Sequence, residues 1–280
     1  MSDPGGVRLG DLIAAADELW PPVLAEPWDN PGLAVGDPQA PVRRVLVTVD
    51  AVPAVLDEAE ALGCEAIVSH HPTLFASPRT LRADTWPGAL LARAAGAGVA
   101  LFSAHTNADA APGGVNDALA DALGMSVRRE PIEPGALPGS GIGRVGELTG
   151  PLPLRAFAAR VAERLPDTAG GVLVQGRPEA TITTVAICSG SGADFLEHPA
   201  VQAADCYVTA DLKHHQALDV ASARAAGLRR PALVGMSHWA GESLWVRGAV
   251  AALTAALPVQ AVASRVPTDP WTFRVAGQSE

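Results

Sequence analysis

A strand–helix–strand pattern occupies residues 43–71, which read "RRVLVTVDAVPAVLDEAEALGCEAIVSHH". The apolar runs at both ends predict buried strands, and the alanine-rich segment between them predicts a helix that Gly63 closes. The alternation continues with "WPGALLARAAGAG" as a helix and "VALFSA" as a strand. Strands that alternate with helices in this way are typical of βαβ units and a largely parallel sheet. The first half of the chain is therefore predicted to be an α/β domain.

A proline- and glycine-rich stretch at residues 131–143, "PIEPGALPGSGIG", interrupts this pattern and predicts a linker. Strand and helix patterns resume after it, in "GRVGEL", "LPLRAFAARVAERL", "GVLVQG", "TVAICSGSG", "CYVTADL" and "PALVGM". A long terminal helix is predicted from about Glu242 to Leu257. We therefore predict two similar α/β domains with mostly parallel sheets, at residues 1–130 and 131–280. Residues 238–280 are expected to pack back on the first domain.

The composition excludes several classes of protein. With 48% hydrophobic residues, the 280-residue chain can bury sizeable cores. The formal net charge of -10 opposes attraction to a polyphosphate backbone, so nucleic acid is not an expected partner. The N-terminus lacks an apolar signal-peptide region, and Pro258 breaks the most hydrophobic late stretch, so neither export nor membrane insertion is expected. Cys64, Cys188 and Cys206 are isolated, which predicts reduced core thiols and a cytoplasmic location.

Two adjacent histidines, His70 and His71, follow the predicted strand "EAIVS". Ligands of open α/β sheets gather beyond the carboxyl ends of strands. Pro72 biases His71 toward extended or polyproline geometry, so that the strand leaves its ladder and both rings can turn toward one site. The pair by itself permits two interpretations: metal ligation, or one ring that caps a loop while the other is exposed.

Two further pairs combine an imidazole with a carboxylate four residues later. In "SAHTNAD", His105 and Asp109 suit Zn, Mn or Fe, although Asp109 could instead cap a turn or helix. In "SHWAGES", His238 and Glu242 would share one helix face if the terminal helix begins early enough. Alternatively, Glu242 only favours the positive end of that helix.

A fourth polar cluster, "TADLKHHQ", contains Asp211, Lys213, His214 and His215. Six of the seven histidines thus lie beyond predicted strand ends, which argues against chance placement. Lys213 and its neighbouring histidines could hold an anionic group or transfer a proton, or form an ordinary solvated helix start. The "SGSG" at residues 189–192 could form an amide nest for phosphate or a simple turn.

These motifs, taken in order, resemble the NIF-three-like family, whose members are also named GTP cyclohydrolase I type two homologues. The resemblance spans nearly the whole chain and rests on "WDNPGLAVG", "SHHPTLF", "HTNAD", "GRVGEL", "GSG", "YVTADLKHH" and "SHWAGES". It implies two α/β domains, a pair of divalent metal ions at strand carboxyl ends between them, and a homohexamer built as a trimer of dimers. The metal could be Zn, Fe, Mn or Co.

Carried over by position, the resemblance assigns the metal ligands to five residues: His70, His71, Asp109, His238 and Glu242. His105 would line the same site as a ligand or as a group that orients one. Asp211, His214 and His215 would lie toward the same cavity.

The resemblance implies a metal-dependent hydrolase that acts on a small, anionic, nucleotide-like molecule, as in GTP ring opening. The residues suggested for catalysis are His105, His214, His215 and Lys213. The alternative is a non-enzymatic metal-binding ring that stores metal or acts as a scaffold.

The sequence departs from the family pattern at several positions, which affects substrate inference more than metal binding. Ser237, Trp239 and Gly241 alter the usual GHYxSE, and Ala210 and Pro31 alter two other motifs. The stretch from Gly150 to Thr181 is too short for the inserted domain of longer members, so the compact form is predicted.

Overall fold

The computed structural model describes residues 6–76 and 78–275, with only the backbone described at Val127 and Arg128. Its α-helices are α1 (Leu9–Leu19), α2 (Pro53–Leu62), α3 (Trp86–Ala97), α4 (Thr106–Ala110), α5 (Val115–Leu123), α6 (Leu154–Arg164), α7 (Pro199–Ala203), α8 (His214–Ala225) and α9 (His238–Ala256). Its strands are β1 (Val7–Arg8), β2 (Gly32–Val35), β3 (Pro41–Val42), β4 (Arg44–Thr48), β5 (Ala66–Ser69), β6 (Ala100–Ser103), β7 (Met125–Glu130), β8 (Glu133–Pro134), β9 (Gly141–Ile142), β10 (Arg144–Pro153), β11 (Leu173–Gln175), β12 (Thr181–Ser191), β13 (Cys206–Ala210), β14 (Ala232–Gly235) and β15 (Gln260–Ala263). Short 3-10 helices lie at Pro22–Leu24 and Ala193–Glu197.

Contacts group the chain into two compact units, each made of two segments. Unit 1 comprises Met1–Gly114 and Trp245–Thr268, and unit 2 comprises Val115–Leu244 and Asp269–Glu280. Both units combine helices with a sheet, which confirms the predicted α/β class. The division after residue 130 stays a prediction, and the contacts place β7 in unit 2 because it pairs with β10.

The sheet of unit 1 has the strand order β15-β4-β5-β6-β2. The first four strands are parallel, and β2 adds an antiparallel edge. All residues of β5 and β6 are buried, as expected for parallel strands that are covered on both faces. α2 connects β4 to β5 and ends at Gly63, whose left-handed φ of 65° suits glycine. Because β4, β5 and β6 are adjacent and parallel, the residues that follow them meet at one edge of the sheet.

The sheet of unit 2 has the strand order β11-β14-β13-β12-β10-β7. Only β12, β13 and β14 are mutually parallel, so this sheet is mixed, whereas a mostly parallel one was expected. Residues alternate along β12 between two cores: Val185 and Ile187 join the one that includes α6, and Ala186 and Cys188 join the one that includes Val220 of α8. Helices therefore cover both faces, and the loops after the three parallel strands again share an edge.

Three smaller expectations can be compared with the structure. The predicted linker at residues 131–143 contains the antiparallel pair β8 and β9, so it is ordered. The terminal helix α9 begins at His238, four residues before the predicted start at Glu242. The three cysteines are free and buried, as predicted. Among the described residues, no helix combines the length and apolar character needed to cross a bilayer.

Candidate metal centre

The chain turns at the end of β5, where His70 and His71 follow the strand. Their amides donate to the carbonyl groups of Thr48 (3.1 Å) and Val49 (2.9 Å), both on the β4 side. Successive amides of a regular strand point to opposite sides, so the strand leaves its ladder here, as the sequence predicts. As a result, the two rings lie together, with centroids 4.9 Å apart.

An oxygen atom fixes the Nδ1 of each of these two rings. Nδ1 of His70, which is fully buried, lies 2.9 Å from the carbonyl oxygen of Ala104. Nδ1 of His71 lies 2.7 Å from Oδ1 of Asp50, whose other oxygen accepts a hydrogen bond from the Thr268 hydroxyl. Because a carbonyl oxygen only accepts, Nδ1 of His70 carries a proton, so a neutral ring has its lone pair on Nε2.

His105 follows the neighbouring strand β6 and is fixed in the same way. Its Nδ1 lies 2.8 Å from Oδ1 of Asp29. The second oxygen of Asp29 accepts hydrogen bonds from the amide of Thr106, at 3.0 Å, and from its hydroxyl. α4 begins directly after His105, and the amide of Asp109 donates to the carbonyl of His105 at 3.0 Å. The single helical turn thus places Asp109 on the same side as the histidines.

The unit 1 donor set comprises His70, His71, His105 and Asp109. Ring nitrogens of the three histidines lie within 4.8 Å of one another. Oδ1 of Asp109 lies 3.8 Å from Nε2 of His70, which is beyond hydrogen-bond range. Donors that each lie about 2.1 Å from one ion are separated by about 3 to 4 Å, so this spacing suits two ligands of one metal. In a metal-ligating histidine, the ring nitrogen that does not bind the metal typically forms a hydrogen bond with an oxygen atom. Nδ1 of all three rings has such an oxygen partner here.

The unit 2 donor set comprises Asp211, His238 and Glu242. Because α9 begins at His238, Glu242 lies one helical turn away, and its Oε1 is 2.8 Å from Nε2 of His238. Oδ2 of Asp211 lies 2.6 Å from Nδ1 of the same ring. Burial lowers the pKa of His238, but the charge of Glu242 and the hydrogen bond that the ring donates to Asp211 outweigh it and raise the pKa to about 11. The two carboxylates therefore favour a cation at this position, whether a proton or a metal ion.

Asp211 has an unusual backbone conformation, with a φ of 54° directly after β13. This left-handed region is uncommon for residues other than glycine, although aspartate enters it more often than most. Since the conformation costs free energy, its occurrence next to His238 is in keeping with a functional role for this carboxylate.

Gly190, in the "SGSG" segment, permits the close approach of β12 to the unit 2 donor set. Its φ is 73°, and an added Cβ would lie 2.5 Å from Oε1 of Glu242 and 3.1 Å from Nε2 of His238. The amides of Ser189 and Gly192 already donate to the side chains of Asn116 (2.8 Å) and Thr209 (3.0 Å). The geometry thus favours close packing against the carboxylate over the phosphate nest considered from sequence.

A pocket of about 250 Å³ in unit 2 lies beside His238. Its walls include two carboxylates and two indole rings, from Asp211, Asp269, Trp239 and Trp271. Aromatic faces combined with carboxylates could accept a flat heterocycle that carries N–H groups.

Lys213, His214 and His215 lie elsewhere in unit 2. They are exposed at the start of α8, where the two imidazole rings contact each other with centroids 5.2 Å apart. The side chain of Gln216 accepts a hydrogen bond from the amide of Lys213 at 3.0 Å. Of the described residues, these three are not in the wall of the pocket beside His238. Their proposed roles in anion binding and proton transfer stay predictions.

Two carboxylates that position histidines, Asp29 and Asp50, were not identified as site residues from the sequence. The sequence offered an indication of a site role for each of them: Asp50 ends a predicted strand, and Asp29 belongs to the "WDNPGL" motif. What the sequence did not show was the contact of each carboxylate with a particular imidazole.

We expect Asp29→Asn to lower the free energy of unfolding at pH 7 by about 2 kcal/mol. Burial raises the pKa of Asp29, but hydrogen bonds from His105 and Thr106 outweigh it and lower the pKa from 3.8 to about 2. The ionised carboxylate therefore stabilises the folded state above pH 3.8, and this stabilisation is lost as the pH falls through about 2. Denaturant unfolding of chelator-treated protein at pH 7 and pH 3 measures the difference, with Asp37→Asn, at a turn, as the control. An equal loss at both pH values would contradict this origin.

Comparison with known proteins identifies relatives that match nearly the whole chain. Residues 7–270 match the family described as "Duf34/NIF3 (NGG1p interacting factor 3)". The chain is 43% identical over 279 residues to a Streptomyces coelicolor protein named "GTP cyclohydrolase 1 type 2 homolog", covering 96% of this chain and 95% of that one. It is also 32% identical to a Mycobacterium tuberculosis protein of the same name, covering 95% of this chain and 97% of that one.

Solved structures show the same fold. A Staphylococcus aureus protein superimposes with a TM-score of 0.84 and 27% identity, covering 97% of this chain and 100% of that one. The alignment with the Mycobacterium tuberculosis protein extends over 377 residues, so that relative contains residues that the 280-residue chain lacks. This difference is in keeping with the predicted compact form.

Proposed function

The chain belongs to the Duf34/NIF3 family, and on that premise we propose that it binds a pair of divalent metal ions and hydrolyses a small nucleotide-like molecule. The observation that carries the proposal is the geometry of the three unit 1 histidines. Each has its Nδ1 fixed by an oxygen, and their ring nitrogens lie within 4.8 Å of one another. A purely structural role does not need three imidazoles arranged in this way.

The proposed ligands come from both donor sets: His70, His71 and Asp109 of unit 1, and His238 and Glu242 of unit 2. Imidazole and carboxylate ligands suit Zn, Fe, Mn and Co. Glu242 is only 2% exposed, and a buried carboxylate is costly unless a cation balances it. The donor chemistry of the described residues therefore fits divalent ions.

Divalent ions bound in such a set lower the pKa of water and stabilise the anionic transition states of hydrolysis. The residues of this chain orient the participants. Asp50 holds the His71 ring, and Asp29 holds the His105 ring through contacts of 2.7 and 2.8 Å. His105 is the proposed proton-transfer group, because a carboxylate on Nδ1 fixes the tautomer and orientation of an imidazole.

The substrate class rests on two observations. A relative that is 43% identical carries the name "GTP cyclohydrolase 1 type 2 homolog". The pocket beside His238 presents the indole rings of Trp239 and Trp271 together with carboxylates. Indole rings stack on nucleobases, and carboxylates accept hydrogen bonds from their N–H groups. Both observations support a nucleotide-like substrate.

The test combines metal analysis with turnover on a panel of nucleotides that includes GTP. We expect bound metal in the wild type and hydrolysis that disappears on chelation and returns on reloading. Glu242→Gln is expected to lose both metal and most turnover, whereas Glu179→Gln, at an exposed position, keeps both. Metal binding without turnover on any member of the panel would support the alternative, a non-enzymatic metal-binding protein, and would refute the hydrolase.

A further inference from the structure

A second groove, of about 790 Å³, lies in unit 2 at the edge of the sheet where the parallel strands β12, β13 and β14 begin. Its wall includes Thr181 at the start of β12, Asp205 just before β13 and Ala232 at the start of β14. Asp211 and His238 follow the opposite ends of β13 and β14. A five-residue strand such as β13 spans about 16 Å. The groove is therefore separate from the unit 2 donor set.

The groove concentrates positive charge in a chain whose net charge is -10. Four arginines line it, together with one carboxylate, that of Asp205. Oδ2 of Asp205 accepts hydrogen bonds from the amides of Thr183 and Thr184, each at 2.9 Å. This carboxylate is thus occupied in fixing the start of β12, and it offsets at most one of the four positive charges.

The arginines are Arg177, Arg224, Arg229 and Arg230, and one of them has an acidic partner: Arg230 pairs with Glu197 at 3.1 Å. Arg224 donates to uncharged acceptors, the Pro231 carbonyl at 3.1 Å and the Gln175 side chain. Arg229 donates to the Ala203 carbonyl. Within the described part of the chain, Arg177, Arg224 and Arg229 form no ion pair.

These positive charges also act on one another. Burial first, and the charge of Arg177 second, lower the pKa of Arg224. Three guanidinium groups that share a groove with the single carboxylate of Asp205 cost free energy, which a bound anion would recover. The two hydrogen bonds of Arg224 hold its guanidinium in place, so an anion would meet a preformed donor.

We propose that this groove binds a small organic molecule that carries two or more phosphate groups. A guanidinium presents paired N–H donors that match phosphate oxygens, and each phosphate can engage one or two arginines. A diphosphate, with a charge of about -3, would offset the positive charge that Glu197 and Asp205 leave unbalanced among the four arginines. The volume of the groove lies within the range of about 300 to 1,000 Å³ that small-molecule sites occupy.

Inorganic pyrophosphate is the probe, titrated calorimetrically into chelator-treated full-length protein so that no metal ion can hold it. We expect one site per chain and affinity at least about tenfold higher than for inorganic phosphate. Arg177→Gln combined with Arg229→Gln is expected to weaken binding by about a hundredfold, because each charge-assisted contact is worth roughly tenfold. The matched control is Arg155→Gln with Arg164→Gln, which removes the same charge from exposed positions of α6.

Three results would overturn the proposal: no pyrophosphate binding to the wild type, equal weakening in both double variants, or equal affinity for phosphate and pyrophosphate. Tighter binding of a single-stranded RNA oligonucleotide that the same two arginines control would also overturn it, in favour of nucleic acid. Glu242→Gln is expected to leave pyrophosphate affinity unchanged, because the groove is at the other edge of the sheet. Pyrophosphate binding at the groove can therefore be confirmed or refuted independently of the proposed hydrolase function.

Discussion

His71→Ala is expected to remove metal from the protein and to weaken its binding by more than about a hundredfold. The reason lies in how the ring is held: Asp50 fixes Nδ1 at 2.7 Å, and the ring lies with His70 and His105 in the unit 1 donor set. Loss of an orienting partner alone typically costs about 10- to 100-fold in metal affinity, and loss of the ligand costs more. The His71 side chain is 17% exposed, so its truncation affects folding less than that of the fully buried His70.

Elemental analysis and competition with a chelating dye measure the stoichiometry and the affinity. His198→Ala is the control, since it removes a histidine outside the donor sets. Nδ1 of His198 accepts a hydrogen bond from the Ala200 amide at the start of α7. Asp50→Asn is expected to give an intermediate loss of about 10- to 100-fold, because it disturbs the ring without removing it. Unchanged metal content and affinity in His71→Ala would refute the assignment of this residue as a ligand.

Gly190→Ala is expected to destabilise the protein by about 3 kcal/mol and to weaken metal binding as well. A left-handed φ of 73° raises the free energy of an alanine, and the alanine Cβ would also lie 2.5 Å from Oε1 of Glu242. Either Glu242 or β12 must therefore shift, and His238, 3.1 Å from the same position, would move with it. Both proposed ligands of unit 2 would lose their present geometry.

Gly63→Ala separates the two effects. Gly63 has a similar φ of 65° but no atom within 4 Å of an added Cβ, so we expect only the backbone cost of about 1 kcal/mol. Urea denaturation of both variants, followed by metal titration of the folded proteins, gives the comparison. If the two variants lose equal stability and bind metal equally, contact between the added Cβ and the unit 2 donor set does not contribute to the effects of Gly190→Ala.

Local sequence patterns predicted which of the proposed donor side chains lie next to one another. The apolar strand before His70 and the proline after His71 predicted a chain turn that brings both rings to one side, and the structure shows it. The spacing of His238 and Glu242 predicted a shared helix face on the condition that α9 begins early, and α9 begins at His238. The assignment of these residues as metal ligands stays a prediction.

Long-range pairing could not be predicted in the same way. Asp50 and Asp29 are separated from their imidazole partners by 21 and 76 residues, and nothing local selects which ring each one meets. The mixed sheet of unit 2 could not be predicted either. The sequences of β10 and β12 indicate strands, but they do not indicate that the two strands pair in the antiparallel direction. The close approach at Gly190 depends on the contact of β12 with a helix that begins 48 residues later, at His238.

The parallel pairing of β15 with β4 has a consequence for biosynthesis. The contact between Arg44 and Gln260 joins residues 216 positions apart. A ribosome that adds about 5 to 20 residues per second needs roughly 10 to 40 s to produce the second strand after the first. During that interval, the hydrogen-bonding edge of β4 has no native partner, and such edges are the usual sites of mispairing between chains. The sheet that β4 begins is therefore completed only after β15 has been synthesised.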